Sequence, residues 1–356
     1  MANYYGLILA GGRGTRFWPR SRRRHSKQVL NVVGDRSLIQ ATVDRLAPLI
    51  PPERLWVLTN EHLRSEIACQ LPEVPKRQIL AEPAQRNTAP AIGLAAHILQ
   101  SIDRDALMGV FPSDHVIGNA PLCRRIFHKA FQEAAAGKLV VLGIPPRWPE
   151  TGYGYIEFPR GTKPGMTALP VRSFREKPDL ATARRYLASG RFFWNAGMFF
   201  WRADAILEAL RQHLPRTATL LAALPPWRSR KFAVSLSGTF PRCENISIDY
   251  AVLERASNVV GIACEEIRWN DVGSWNAVYE LLPQDANGNV VDGKAVCRDS
   301  RGNFVDAAGK TIALLGVENL IIVDTADALL VADRARAQQV SEIVKLLEEQ
   351  KREHLL

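Results

Sequence analysis

Residues 4–10 form a short apolar run, and the chain then turns through Gly11-Gly12-Arg13-Gly14-Thr15-Arg16. A buried strand that ends on a bare glycine loop constrains the fold more than any other feature here. Two adjacent glycines and a third at Gly14 let the backbone turn tightly and present N–H groups free of side chains. Arg13, Arg16 and Lys27 place positive charge around that backbone. Such N–H groups hold phosphate oxygens and such cations neutralise them, so the loop suits a polyphosphate. It is neither of the commoner phosphate loops. The dinucleotide fingerprint needs a third glycine where Phe17 stands, and a Walker A loop needs a Gly-Lys-Ser/Thr that the chain lacks.

Strand-like runs at 54–59, 106–111 and 138–143 alternate with helical spacing over 37–46, 87–102 and 124–136. This alternation predicts an α/β fold with a mainly parallel sheet flanked by helices, and ligands beyond the carboxyl ends of the strands. The glycine loop and Pro112-Ser113-Asp114-His115 both follow strand ends, so one crevice is predicted to hold both. From Asn287 the texture changes. Short β-like runs at 290–296, 303–306, 311–315 and 320–323 are broken by Asp, Asn and Gly, and 334–350 reads as an amphipathic helix. The chain therefore divides into a large α/β domain over 1–286 and a small β-rich C-terminal domain over 287–356. Its repeats are too unevenly spaced to establish a solenoid from periodicity.

Composition narrows the partners. Lysine and arginine number 46 against 36 acidic residues, a net charge of +10 over 356 residues. No helix–turn–helix, zinc-finger or RNP-like pattern accompanies that excess, and arginines are spread along the chain. The charge thus points to an anionic small substrate rather than to nucleic acid. The longest apolar runs are too short to cross a bilayer, and Gly11 and Arg13 interrupt any leader pattern at the N-terminus. Five scattered cysteines, none at metal-ligand spacing, fit a reducing compartment. The expectation is a cytoplasmic protein.

Residues 9–28, with Trp18-Pro19 and Ser26-Lys27-Gln28, resemble the signature of the sugar-1-phosphate nucleotidylyltransferases, and within them the mannose-1-phosphate guanylyltransferase branch. Seven further blocks follow in order: 82–91, 111–115, 151–156, 174–178, 194–199, 247–252 and 269–275. Residues 323–332 are similar to the tail of the same branch. The resemblance implies a GT-A-like, Rossmann-like sheet and a left-handed β-helix-like C-terminal domain. It implies GMP transfer from GTP to α-D-mannose 1-phosphate, giving GDP-mannose and pyrophosphate, with Mg²⁺ as cofactor and a homodimer as the assembly. Longer family members carry a second, cupin-like isomerase domain for which this chain is too short. The sugar phosphate is already ionised, so no general base is needed. Catalysis rests on holding two anions in line and neutralising charge at the α-phosphorus.

Residue roles follow from the resemblance. Gly11, Gly12 and Gly14, with Leu9, Ala10, Thr15 and Arg16, cradle the triphosphate. Arg13 holds the β- and γ-phosphates, and Lys27 reaches the reacting centre. Asp114 and Asp271 are the metal ligands; magnesium takes few protein carboxylates, and no His/Cys cluster suggests a softer ion. Glu82, Pro83, Arg86, Asn87, Thr88 and Ser113 form the base and ribose site. Glu82 or backbone carbonyls match the two adjacent donors of guanine, and Asn87 and Thr88 also suit a helix cap. Gly154, Glu176, Lys177 and Asn195 bind the sugar phosphate. His115 is either structural or catalytic, and the aromatics around Asn195 read as core. The Arg20, Arg22, Arg23, Arg24 cluster either draws in triphosphate or is a solvated loop. Another sugar, another base, or a non-catalytic nucleotide-sugar sensor are the alternatives.

Overall fold

The computed structural model describes residues 3–356. Four strands open the fold: β1 (Tyr4–Leu9), β2 (Leu55–Thr59), β3 (Ile79–Ala81) and β4 (Leu107–Pro112). They pair in parallel in the order β3-β2-β1-β4. Their near-continuous burial is what a sheet covered on both faces requires. The chain runs outward in one direction from β1 and in the other from β4. The carboxyl ends of these two central strands therefore flank a topological switch point.

Next come β5 (Val116–Ile117), β6 (Leu139–Ile144), β7 (Tyr155–Glu157), β8 (Ala168–Pro170), β9 (Ser173–Arg175), β10 (Phe192–Arg202), β11 (Val259–Ala263) and β12 (Trp269–Asn270). Strand β10 joins β4 antiparallel and extends the sheet through β6, β11 and β8, while β7 and β9 branch from it. The sheet is therefore mixed beyond β4. The register of β10 slips between Asn195 and Phe199, where Gly197 adopts φ +66°. Such a bulge re-aims side chains, and Asn195 lies on it. Strand β12 pairs with β5, carrying the segment before Asp271 to the segment after Asp114. Apolar clusters fill both faces of the large sheet. Phe192, Phe193, Trp194, Phe199, Phe200 and Trp201 are all buried in them, as core residues.

A four-stranded sheet follows: β13 (Val290–Arg298), β14 (Phe304–Leu315), β15 (Leu320–Asp324) and β16 (Leu329–Asp333). The first three are parallel and the last is antiparallel. Buried Asn303 bonds along the stack: its side-chain N–H reaches Asn289 Oδ1 at 3.0 Å, and its Oδ1 accepts from the Leu320 N–H at 2.9 Å. Helix Val340–Glu349 closes the chain and buries Val344 and Leu347. These pack with Phe304, Ile321 and Val323 against Phe17, Trp18, Leu30 and Trp275. The C-terminal unit thus rests on the segment that carries the glycine loop. Among the described residues, no helix is long and apolar enough to cross a membrane.

Candidate active site

Backbone geometry builds the glycine loop. At Gly14, φ is +62°, and an added Cβ would stand 2.5 Å from Lys27 Cβ and 2.8 Å from the Lys27 nitrogen. Only glycine permits that approach. Gln28, buried beneath the loop, donates to the carbonyls of Ala10 at 2.8 Å and Gly12 at 3.2 Å, and Thr59 donates to Ala10 at 2.9 Å. Ser21 donates to the Gly14 carbonyl at 2.6 Å. With these carbonyls held from below, Gly11 and Gly12 line a cavity of about 480 Å³ together with Leu9, Gln28, Glu82, Asn87, Thr88, Ser113 and Asp114.

Lys27 ties the crevice together. Its buried ammonium donates to Asp114 Oδ2 at 2.7 Å and to the backbone carbonyl of Asp271 at 2.9 Å. Two acids 157 residues apart in sequence are thereby joined through one cation. Burial raises the Asp114 carboxyl, but the Lys27 charge and hydrogen bond more than offset it, so the group is held below its ordinary value. Asp271 Oδ1 accepts from Tyr153 Oη at 2.6 Å and from the Gly273 N–H at 3.1 Å. Val272 beside it has φ +49°, and Arg16 donates to the Gly273 carbonyl at 3.3 Å. Asp271 also borders a second cavity, of about 570 Å³, lined in part by Tyr153, Trp194 and Trp269.

His115 is engaged by its neighbour Trp269. Trp269 Nε1 donates to its Nδ1 at 3.2 Å and crosses its ring edge-on. Burial drives the imidazole down to about 4, against the upward pull of Asp114 and Asp271, so it stays neutral.

On the wall of the same cavity, Glu82 Oε1 is buried with no hydrogen-bond partner. Burial pushes this carboxyl up to about 8. Asn87 caps helix Thr88–Ile102, its side chain accepting from the Thr88 N–H at 2.9 Å, and Thr88 Oγ1 accepts from the Ile248 N–H at 2.9 Å. Arg86 does not line this cavity; its Nε donates to the Pro241 carbonyl at 2.8 Å. Pro83 is exposed and also off the cavity, and Thr15 opens the short 3₁₀ turn Thr15–Phe17.

A separate cluster gathers Gly154, Glu176, Lys177 and Asn195. An added Cβ at Gly154 would stand 2.4 Å from Glu176 Oε2. Lys177, at φ +46°, places Nζ 3.3 Å from Glu176 Oε1. Asn195 donates to Asp249 Oδ1 at 3.1 Å. Burial, then the neighbouring Glu176 charge, raises the Asp249 carboxyl. Gln28, Tyr153 and Asp249 are the residues to which sequence reasoning gave no role. All three lie inside motif blocks; Tyr153 and Asp249 have partners in other blocks, whereas Gln28 bonds within its own.

Three of the four clustered arginines dock on the C-terminal unit, while Arg24 is exposed. Arg20 forks onto the buried Asp306, with Nε–Oδ2 at 2.8 Å, Arg22 pairs with Asp327 at 2.9 Å, and Arg23 pairs with Glu353. Trp18 Nε1 donates to the Leu355 carbonyl at 2.9 Å. Arg13 joins the same contact through Glu348. A local reading of the loop misses this because every partner lies nearly 300 residues away or more.

Comparison with known proteins agrees with this geometry. A family model described as nucleotidyl transferase matches residues 5–288, and one described as MannoseP isomerase/GMP-like beta-helix domain matches 293–347. A mannose-1-phosphate guanylyltransferase of Klebsiella pneumoniae is 40% identical over 353 residues, covering 97% of this chain and 74% of its own. The xanthan biosynthesis protein XanB of Xanthomonas campestris is 41% identical over 350 residues, covering 97% and 73%. A crystal structure from Thermus thermophilus, described as a mannose-1-phosphate geranyltransferase, superposes with a TM-score of 0.87 at 34% identity, covering 97% of this chain and 99% of its own.

Proposed function

The chain belongs to the nucleotidyl transferase family, and we propose that it transfers a guanylyl group from GTP to α-D-mannose 1-phosphate, forming GDP-mannose and releasing pyrophosphate. The observation that carries the reading is Lys27, bonded to Asp114, which lines the glycine-loop cavity, and to the Asp271 backbone. A cation held by one aspartate's carboxylate and another's backbone carbonyl suits phosphoryl chemistry, where charge neutralisation and alignment do most of the work.

In this reading the backbone of Gly11, Gly12 and Gly14 receives the triphosphate, with Leu9, Ala10, Thr15 and Arg16 shaping the turn. Arg13 grips the β- and γ-phosphates, and Lys27 turns from Asp114 to the α-phosphate. Glu82 accepts the paired donors of guanine, flanked by Asn87, Thr88 and Ser113, with Pro83 and Arg86 supporting that segment. Lys177 holds the phosphate of the sugar, and Glu176 and Asn195 bind its hydroxyls while Gly154 leaves room for the ring. The mannose phosphate oxygen then forms a bond to the α-phosphorus as the bond to the pyrophosphate oxygen breaks on the opposite side.

Asp114 and Asp271 offer carboxylate oxygens of the kind a hard divalent ion prefers, and the ammonium seated on the Asp114 carboxylate and the Asp271 backbone carbonyl marks a place suited to positive charge. We assign Mg²⁺ there. When bound, it neutralises phosphate charge in the transition state. A homodimer forms through the C-terminal unit, where Val296, Leu315, Leu329 and Val331 are each more than half exposed. We place the reaction in the cytoplasm. Incubation with GTP, ATP, UTP and dTTP against several sugar 1-phosphates tests the assignment. The expected product is GDP-mannose; efficient turnover of a different pair, with none of GDP-mannose, rejects it.

A further inference from the structure

Resting on the reading of Arg13 as a triphosphate ligand, we infer that Glu348 is a positioning residue that holds Arg13 in the free protein and surrenders it to the incoming nucleotide. Glu348 lies in the last turn of helix Val340–Glu349, followed directly by a second glutamate. The carbonyls at a helix C-terminus favour cations, so a carboxylate there is locally unfavourable. Its contacts offset that cost. Glu348 Oε1 accepts from Arg13 Nη2 and lies 3.8 Å from Arg23 Nη2. Arg13 belongs to the loop whose Gly11 and Gly12 line the nucleotide cavity.

A carboxylate on a guanidinium occupies the same donors that a phosphate oxygen would use. Glu348 and the terminal phosphates therefore compete for Arg13. Two features make the exchange easy. The Arg13 and Glu348 side chains are 45% and 33% exposed, so their pair is weak. Glu348 also keeps Arg23 beside it, so departure of Arg13 leaves no stranded carboxylate. The rest of the clasp, Arg20–Asp306, Arg22–Asp327 and Trp18–Leu355, does not involve Arg13. The arginine is released while the C-terminal unit remains docked.

The test is a binding cycle with GTP, by calorimetry, on the full chain as wild type, Glu348→Gln, Arg13→Ala and the double variant. Competition predicts that Glu348→Gln tightens GTP about two- to fivefold, the factor an exposed ion pair supplies. That gain falls on KM for GTP rather than on kcat, and it vanishes in the Arg13→Ala background. Unchanged or weaker binding by Glu348→Gln, with Arg13→Ala still impaired, overturns the inference and leaves the role of Arg13 intact. If Arg13→Ala binds GTP as wild type does, the reading of Arg13 itself fails, and the inference with it.

Discussion

Glu82 and Asp114 line one cavity and meet opposite fates. Burial pushes both carboxyls upward. At Asp114 the Lys27 ammonium, 2.7 Å away, reverses the effect, whereas Glu82 Oε1 has no partner and the group rises to about 8. Asp114 is therefore charge-balanced within the protein, whereas the Glu82 carboxyl is left for a ligand to satisfy. An orphaned buried acceptor is costly, so its persistence at a cavity wall points to recognition.

The largest effect tests the balanced acid. Asp114→Asn removes one acid and leaves Lys27 against a neutral amide. We expect kcat/KM to fall about 10²–10³-fold, the scale of losing one electrostatic contact to the transition state. Steady-state rates at saturating Mg²⁺ measure it. Undiminished turnover would make Asp114 only an anchor for Lys27.

Glu82→Gln tests the other acid. Loss of a charged acceptor should cost about ten- to a hundredfold in GTP affinity and narrow the preference for GTP over ATP. With burial pushing the Glu82 carboxyl up to about 8, GTP binding through its carboxylate at pH 7 should release close to one proton. Calorimetry in buffers of different ionisation enthalpy reads that release, which the variant should lack. The same proton affects stability. The folded value of about 8 lies above that of an exposed carboxylate, so the contribution falls as pH rises between about 4.5 and 8. Urea midpoints at pH 5, 7 and 9 should show a shallower decline in Glu82→Gln than in the wild type.

How much of this was legible in sequence follows the same division. A strand, a glycine loop and an aspartate after a later strand are local signals, and the crevice they share follows from parallel topology. The α/β class and the burial of the aromatics around Asn195 were readable for the same reason. The Lys27–Asp271 bond and the docking of Arg20, Arg22 and Arg23 were not. Each joins residues nearly 250 or more apart, and a charge does not announce its partner. The C-terminal sheet lies between these cases. Its runs at 303–306 and 311–315 merge into one strand, Phe304–Leu315. Its asparagines at 289, 303 and 319 each precede an apolar pair and carry a signal of stacked turns. Uneven spacing hid that signal until the bonds of Asn303 to Asn289 and Leu320 were visible.

A third acid, in the cluster of Gly154, Glu176, Lys177 and Asn195, sharpens the comparison. Asp249 is buried beside Glu176 and receives a hydrogen bond from Asn195, so it is compensated by an amide rather than by a cation of its own. Asp249→Asn keeps the shape but gives Asn195 an amide to face. The expected result is a rise of about tenfold in KM for mannose 1-phosphate, with KM for GTP unchanged. Equal effects on both substrates would mean that Asp249 supports the fold instead of orienting Asn195.

The smallest effects arise where the clasp meets solvent. Arg20 answers Asp306, whose side chain is only 8% exposed, and Arg22 answers Asp327, which is 47% exposed. Removing Arg20 strands a buried carboxylate, which should cost about 1–3 kcal/mol. Removing Arg22 exposes Asp327 further to water and should cost less than about 1 kcal/mol. Urea denaturation of Arg20→Ala and Arg22→Ala therefore compares one chemistry at two depths. If the two variants lose equal stability, burial does not set the worth of an acid in this molecule, and the contrast between Glu82 and Asp114 loses its physical basis.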